Sequence, residues 1–361
     1  MTRKFFGHQS FKGHGAVSNP AGRFDALSLE PFYDDWYQDA GADSPEQTVL
    51  PDSARTLITT NDSPDVGFDA SINPYRGCSH ACVYCFARPS HAYLGLSPGL
   101  DFETKLFYKA DAAELLRAEL SKAKYACKPI ALGINTDGYQ PLESRLGITR
   151  SILEVLASCR HPVSIITKSV LILRDLDLLA DLAKDRLVSV MLSITTLNAD
   201  IKRTLEPRAA APQARVRVIE QLVRAGVPVG VMVAPVIPAI TDHEMEDILR
   251  VARESGATRA GYVLLRLPHE VKVLFREWLT LHFPDRAKHV MSLMNQARGG
   301  KDYDSAFGSR MRGTGPYAEL LRARFELAKR KLGFAGSSER HDLDTHLFRP
   351  PAADSQLTLG F

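Results

Sequence analysis

No apolar stretch in this sequence approaches the roughly 18 residues that a membrane-spanning helix requires, so no membrane partner is expected. The opening residues, Met1-Thr-Arg-Lys-Phe-Phe-Gly-His, carry basic side chains but no apolar h-region of a secretory signal, and the expected compartment is the cytoplasm. Charge of one sign is not in excess: 45 Lys plus Arg face 42 Asp plus Glu, a net charge of +3. That balance excludes a strongly basic nucleic-acid binder, while a local basic groove can still hide inside it. Cysteine is scarce, five in 361 residues, and three of the five fall between Cys78 and Cys85. In a reducing compartment so tight a group reads as a metal site, not a disulfide framework.

What the sequence does have is a 45% apolar fraction, enough for a substantial core, and an alternation of strand and helix signals. Residues 1–55, rich in Gly, Pro, Asp and Ser, read as a loosely ordered arm that docks through Phe32, Tyr33, Trp36 and Tyr37. Strands are predicted at Phe68 to Asn73, Ile130 to Asn135, Val163 to Thr167, Leu187 to Ile194, Val227 to Ala234 and Gly261 to Leu265. Helices are predicted at Ala110 to Ala126, Thr149 to Cys159, Asp175 to Lys184, Pro212 to Ala225 and His269 to His282. One more opens at Thr241-Asp-His-Glu244, where a hydroxyl and a carboxylate sit at capping-box spacing. The strands are apolar throughout, as parallel strands buried on both faces are. The pattern suits an open doubly wound sheet or a barrel. The chain therefore divides into the arm, an α/β unit over 56–283, and a helical, charged extension with a polar tail over 284–361, including a helix at Tyr317 to Leu332.

Cys78-Ser-His-Ala-Cys82-Val-Tyr-Cys85 spaces three thiols four and three residues apart, so one loop can wrap them round a compact cluster. An iron–sulfur cubane is held by thiolates and normally takes four; three from the protein leave one iron for another ligand. The rival is a Cys3His zinc site completed by His80 or His91, but no second CxxC knuckle is present. Cys159 shares an apolar helix face with Ile152 and Leu156, and Cys127 precedes a strand; both read as packing residues.

The loop, with Tyr84 as its aromatic position, resembles the CxxxCxΦC signature of the radical S-adenosylmethionine superfamily. Asn73-Pro-Tyr-Arg-Gly-Cys78, Cys85-Phe-Ala-Arg88 and the stretch Gly95 to Lys105 resemble the branch containing spore photoproduct lyase, with likeness running from Asn73 to Pro268. The resemblance implies a partial (β/α)6 barrel of the TIM type. It implies a [4Fe-4S] cluster on Cys78, Cys82 and Cys85, S-adenosyl-L-methionine as cosubstrate, and an electron donor such as flavodoxin or ferredoxin. For the cofactor pocket it points to Thr136, Asp137 and Gln140 beside the methionine ammonium, Lys168 and Arg215 on the carboxylate, Ser193 and Thr195 on the ribose, and Tyr84 and Pro235 against the adenine. The implied chemistry is reductive cleavage to a 5′-deoxyadenosyl radical that abstracts hydrogen from a substrate. That branch's lyase quenches its product radical with a cysteine beside the second strand. Here the stretch reads Ala131-Leu-Gly-Ile-Asn-Thr-Asp137, which speaks against thymine-dimer repair. Basic residues at Arg298 to Arg312, with glycines and Tyr303, suit a phosphate-binding loop near a barrel mouth, whereas those at Arg322 to Lys331 read as a solvated helix face. A nucleic acid or nucleotide-like substrate is thus slightly favoured over a peptide or a small molecule. The alternative from another class is an iron–sulfur electron carrier or redox sensor without catalysis.

Overall fold

A computed structural model describes residues 11–24, 45–335 and 343–351. Its strands are β1 (Thr48–Pro51), β2 (Ile58–Thr60), β3 (Ala70–Ile72), β4 (Tyr75–Arg76), β5 (Lys105–Tyr108), β6 (Ile130–Leu132), β7 (Val163–Thr167), β8 (Val188–Ser193), β9 (Val229–Val236) and β10 (Arg259–Leu264). Seven of them form one sheet in the order β10-β9-β8-β7-β6-β3-β2. From β3 to β10 the neighbours run parallel and in sequence order, and β2 is antiparallel to β3 at the edge. Each parallel strand is followed by a helix: Ala112–Leu120, Ile148–Ser158, Leu176–Lys184, Pro212–Arg224, Met245–Glu254 and Val271–His282. Parallel neighbours joined through helices wind with one hand, so the row curls into a partial (β/α)6 barrel.

The reason lies in the side chains. Val188, Val190 and Leu192 of β8 and Val229, Val231 and Val233 of β9 are buried, as are Ile152, Leu153, Val155 and Leu156 on the helix packed outside β6 and β7. A second core lies under the first loop of the rim, where Ala16, Cys82, Val83 and Tyr84 meet Leu265, Leu267, Phe275 and Trp278.

Several expectations shift. The segment read as a loosely ordered arm contains β1, which pairs with β5 in a second sheet, β1-β5-β4. β1 gains its ladder from β5, more than fifty positions on, which also pairs with β4 on its other side. Phe32, Tyr33, Trp36 and Tyr37 lie outside the described residues. The capping box at Thr241 does not form: Thr241 Oγ1 accepts from the Ile237 amide, and Glu244 takes Thr196 Oγ1 and the Leu197 amide, both at 2.6 Å. At the rim β6 stops three residues early, at Leu132, where Asn135, Thr136 and Asp137 turn to serve the site, whereas β7 ends as expected and β9 runs on to Val236.

The C-terminal extension bridges the two edges of the open barrel. The Leu264 amide of β10 donates to Met311 O at 2.9 Å. Three residues earlier, the Gly308 amide donates to Asp65 Oδ1 at 2.6 Å, and Arg310 pairs with Asp65 and Ser63 in the β2–β3 connection. Helices Pro284–Gln296 and Gly315–Lys331 flank this crossing. At the opposite end of the barrel, the Arg349 amide donates to Cys159 O at 2.8 Å. No helix of the described residues is long and apolar enough to cross a membrane.

Candidate active site

In a parallel barrel the loops that leave the strands' C-terminal ends share one rim, and the cysteine loop leaves β3 there. Short-range hydrogen bonds fold it: Ala81 N donates to Cys78 O at 3.3 Å and Cys85 N to Cys82 O at 3.2 Å. Neighbours fix its position. The Cys78 amide donates to Phe102 O, the Val83 amide to Leu205 O, and His80 O accepts from the Arg208 amide. Gln140, after β6, accepts from the Ser79 amide at 2.8 Å and donates to Gly77 O at 3.2 Å, gripping both sides of Cys78. Thr136 donates to Tyr75 O at 3.0 Å. Thr136 and Gln140, expected beside a cofactor ammonium, thus hold the cysteine loop.

The three cysteines are free thiols, Cys78 and Cys82 buried and Cys85 partly so. Burial pushes all three up: Cys82 to about 12, helped by Glu206, and Cys78 well above the ordinary thiol range, with Asp137 and the other two thiols adding to it. Such thiols become thiolates when a metal supplies the missing positive charge. Among the described residues no three His, Cys, Asp or Glu side chains are grouped as ligands to a single ion. A cubane asks something else, one thiolate on each of three irons. Neither histidine proposed as a zinc ligand is turned to the thiols: His91 Nε2 sits 2.9 Å from Lys105 O, and His80 Nδ1 faces Asp137 at 3.4 Å. The donor set fits a cluster held by three cysteines.

The N-terminal segment closes over this loop. Glu103, fully buried, pairs with Arg88 and accepts from the Ala16 amide at 2.8 Å, the Gly15 amide at 3.2 Å and His14 Nδ1 at 2.9 Å. Arg88, equally buried, also donates to Cys82 O, Pro98 O and Gly99 O. A Cβ on Gly15 would lie 2.1 Å from Ala81 O, inside the cysteine loop. Gly15→Ala is therefore expected to lift residues 11–20, at a cost of about 1–3 kcal/mol from overpacking. Limited proteolysis checks this; a variant whose segment is cut no faster than the wild type would mean the contact is not kept in solution.

The remaining candidates converge on Glu206, a residue that is not among the sequence candidates. Its carboxylate pairs with Arg215 and accepts from Tyr84 OH and from Thr195 Oγ1 at 2.7 Å, with Lys168 Nζ at 3.7 Å. Burial alone would raise Glu206, but Arg215 and Lys168 prevail and hold it at about 2. Arg215, 1% exposed, spends its other donors on Ala210 O and Ser193 O, both at 2.9 Å. Ala234 O, just before Pro235, accepts from Ser193 Oγ at 3.1 Å and Thr195 Oγ1 at 2.8 Å. Lys168 Nζ donates to Ser193 Oγ at 2.6 Å and keeps 16% side-chain exposure. The carboxylate of Asp137 faces inward too, accepting from Tyr139 N at 2.9 Å and from Thr167 Oγ1 and Lys168 N at 2.8 Å. It fastens the rim of β6 to that of β7. Nothing local in the sequence around Glu206 reveals that Arg215, nine residues on, is its partner.

A family model, that of the Radical SAM superfamily, matches residues 72–252, from the end of β3 through the helix after β9. The chain belongs to the Radical SAM superfamily. Members use a [4Fe-4S] cluster and S-adenosylmethionine, and they need a reductant. An uncharacterised protein of Mycobacterium tuberculosis is 40% identical over 228 residues, 63% of this chain and 67% of its own. One of Methanocaldococcus jannaschii is 29% identical over 173 residues, 48% of this chain and 62% of its own. Among solved structures, spore photoproduct lyase complexed with dinucleoside spore photoproduct superposes with a TM-score of 0.55 at 14% identity, over 79% of this chain and 80% of that one. That likeness is one of fold.

Proposed function

We propose that this radical SAM enzyme holds its cluster on Cys78, Cys82 and Cys85 and acts on the C–H bond of a substrate seated at the barrel rim. The observation that carries it is the set of three buried thiols on one rim loop, with no fourth cysteine beside them: Cys127 stands before β6, on the far side of the sheet's rim, and Cys159 is packed in the core. A [4Fe-4S] cluster held by these three thiolates would supply the electron for reductive cleavage of S-adenosylmethionine.

The chain's own residues orient and enclose. Lys168, the member of the Glu206 network that keeps some exposure, is the group we assign to the cofactor's carboxylate, with Ser193 behind it toward the ribose. Glu206, Arg215, Thr195 and Tyr84 act through it as positioning residues, and Pro235 and the Tyr84 ring flank the adenine. Asp137 sets the backbone of Lys168, a positioning role in place of direct contact with an ammonium. Phe275 and Trp278, buried below Cys82 and Val83, exclude water from beneath the loop. A flavodoxin or ferredoxin serves as reductant in this reading. Without a thiol after β6, repair of spore photoproduct is not the reaction we assign.

The test is anaerobic reconstitution followed by titration with S-adenosylmethionine under reductant. A change in the cluster's electron-spin resonance and release of 5′-deoxyadenosine are expected; a cluster indifferent to the cofactor would leave an electron carrier or redox sensor instead. Lys168→Ala is expected to retain the cluster and weaken cofactor binding by roughly 1.5–3 kcal/mol, the range for a hydrogen bond to a charged group. An unchanged affinity would remove Lys168 from the pocket.

A further inference from the structure

Half of the described arginines sit against carboxylates, Arg88, Arg150, Arg174, Arg215, Arg310 and Arg324 among them. Arg266 and Arg298 do not. Among the described residues neither makes an ion pair with an acid, and the Nε of each is buried without a hydrogen-bond partner. Arg298 is 3% exposed, and its terminal nitrogens donate to Ser309 O at 2.9 Å and Leu265 O at 2.8 Å, both neutral. Asp304 acts on it through space but spends its oxygens on Ser309 Oγ and on the Ala306 amide at 3.0 Å. Burial, then the neighbouring charge of Arg266, pushes Arg298 down to about 10. Arg298, taken out of water beside a second cation and with no carboxylate in hydrogen-bond contact, carries an uncompensated desolvation cost.

Their place gives the charge a use. Arg266 follows the last barrel strand, and its guanidinium carbon lies 5.1 Å from the ring centre of Phe86, the residue after Cys85 on the first loop. The two ends of the open barrel therefore meet here, beside the cysteine loop. Arg266 Nη2 reaches Tyr303 OH at 3.3 Å in the segment that bridges the edges, and its Nη1 has only the weak acceptor Met311 Sδ at 3.5 Å. Phe86 is 40% exposed, and farther along the same bridge Phe307 is exposed under Arg310 at 4.6 Å. Cations beside exposed aromatic faces match a ligand with an anion at one end and a flat ring at the other, and a guanidinium fork suits a phosphate's oxygens.

We propose that Arg266, charge-supported by Arg298 and flanked by Tyr303 and Phe86, is a substrate-anchoring subsite for the phosphate ester of a nucleotide, at the barrel mouth next to the cysteine loop. The proposal rests on the radical-enzyme reading above and names its substrate class. Arg266 offers its terminal nitrogens Nη1 and Nη2 to the phosphate, and the Phe86 ring offers a face to the base.

The probe is a thymidine dinucleotide with its natural phosphodiester, compared with the same dinucleotide carrying an uncharged methylphosphonate. Binding to the reconstituted full chain is read by calorimetry. The phosphodiester is expected to bind about tenfold more tightly, and Arg266→Gln to abolish the difference by weakening the charged probe alone. Arg266→Lys, which keeps the charge without the fork, is expected to recover part of it. Equal affinity for the two probes, or an unchanged difference in Arg266→Gln, overturns the subsite, and so does displacement of the charged probe by acetate as readily as by inorganic phosphate. Wild-type 5′-deoxyadenosine release, measured alongside, separates the two readings: a chain that cleaves the cofactor but does not distinguish the probes keeps its chemistry and loses this subsite.

Discussion

Replacing Cys78, Cys82 or Cys85 by Ala is expected to abolish the cluster's visible absorbance and, with it, all release of 5′-deoxyadenosine. The three thiols are not interchangeable with any other group nearby. His80 is turned to Asp137 and His91 to Lys105 O, so neither stands ready to replace a lost thiolate. Nor are the two remaining cysteines within the loop's reach in the chain: Cys127 precedes β6 at the end away from the rim, and Cys159 is 2% exposed in the core at the end of its helix. Cys127→Ala and Cys159→Ala are accordingly expected to keep about four irons per chain. Iron and sulfide analysis of anaerobically purified variants checks both halves. Stoichiometric zinc in the wild type, or a full cluster in Cys82→Ala, would defeat the assignment.

Arg215→Met is expected to cost about 3–5 kcal/mol of stability, the penalty for stranding one member of a buried ion pair. Glu206 would keep Tyr84, Thr195 and Lys168 but lose the guanidinium that does most to hold its charge against burial. The backbone oxygens of Ala210 and Ser193 would lose their donor as well. Adding Glu206→Gln removes the stranded charge, so the double variant should cost less than the sum of the single ones by about 1–3 kcal/mol. Urea unfolding of the four proteins reads this cycle. Additivity within about 0.5 kcal/mol would mean that the two residues are not coupled in solution. Because Lys168 stands 3.7 Å from the same carboxylate, either single change should also loosen the cofactor site it presents.

How much could be foreseen divides along the range of the interactions. Cys78, Cys82 and Cys85 lie within one turn-rich loop, and their spacing alone brings them together. The βα alternation is equally local, since an apolar strand and an amphipathic helix each declare their period within a dozen residues; the six parallel strands follow from it through the handedness of their crossovers. Asp137, Lys168, Ser193 and Thr195 lie at or just beyond the C-terminal ends of their strands, and Arg215 reaches them from the helix Pro212–Arg224. Their partners were not legible. Asp137 and Lys168 looked like hands held out to a ligand, and the structure joins one to the backbone of the other. Glu103 pairs with Arg88 and, from a segment almost ninety positions earlier, collects His14 and two amides, which nothing local in its stretch announces. The pairing of Arg310 with Asp65, which draws the two barrel edges toward each other, spans 245 positions. Spacing and periodicity thus determined the three-thiol loop and the run of buried strands and helices, because these depend on neighbours in the chain; the choice of a barrel over an open doubly wound sheet came from the family resemblance. Which polar group neutralises which, and that Arg266 and Arg298 are left without an acid beside the mouth, depended on side chains that only the closed tertiary structure brings within hydrogen-bonding distance.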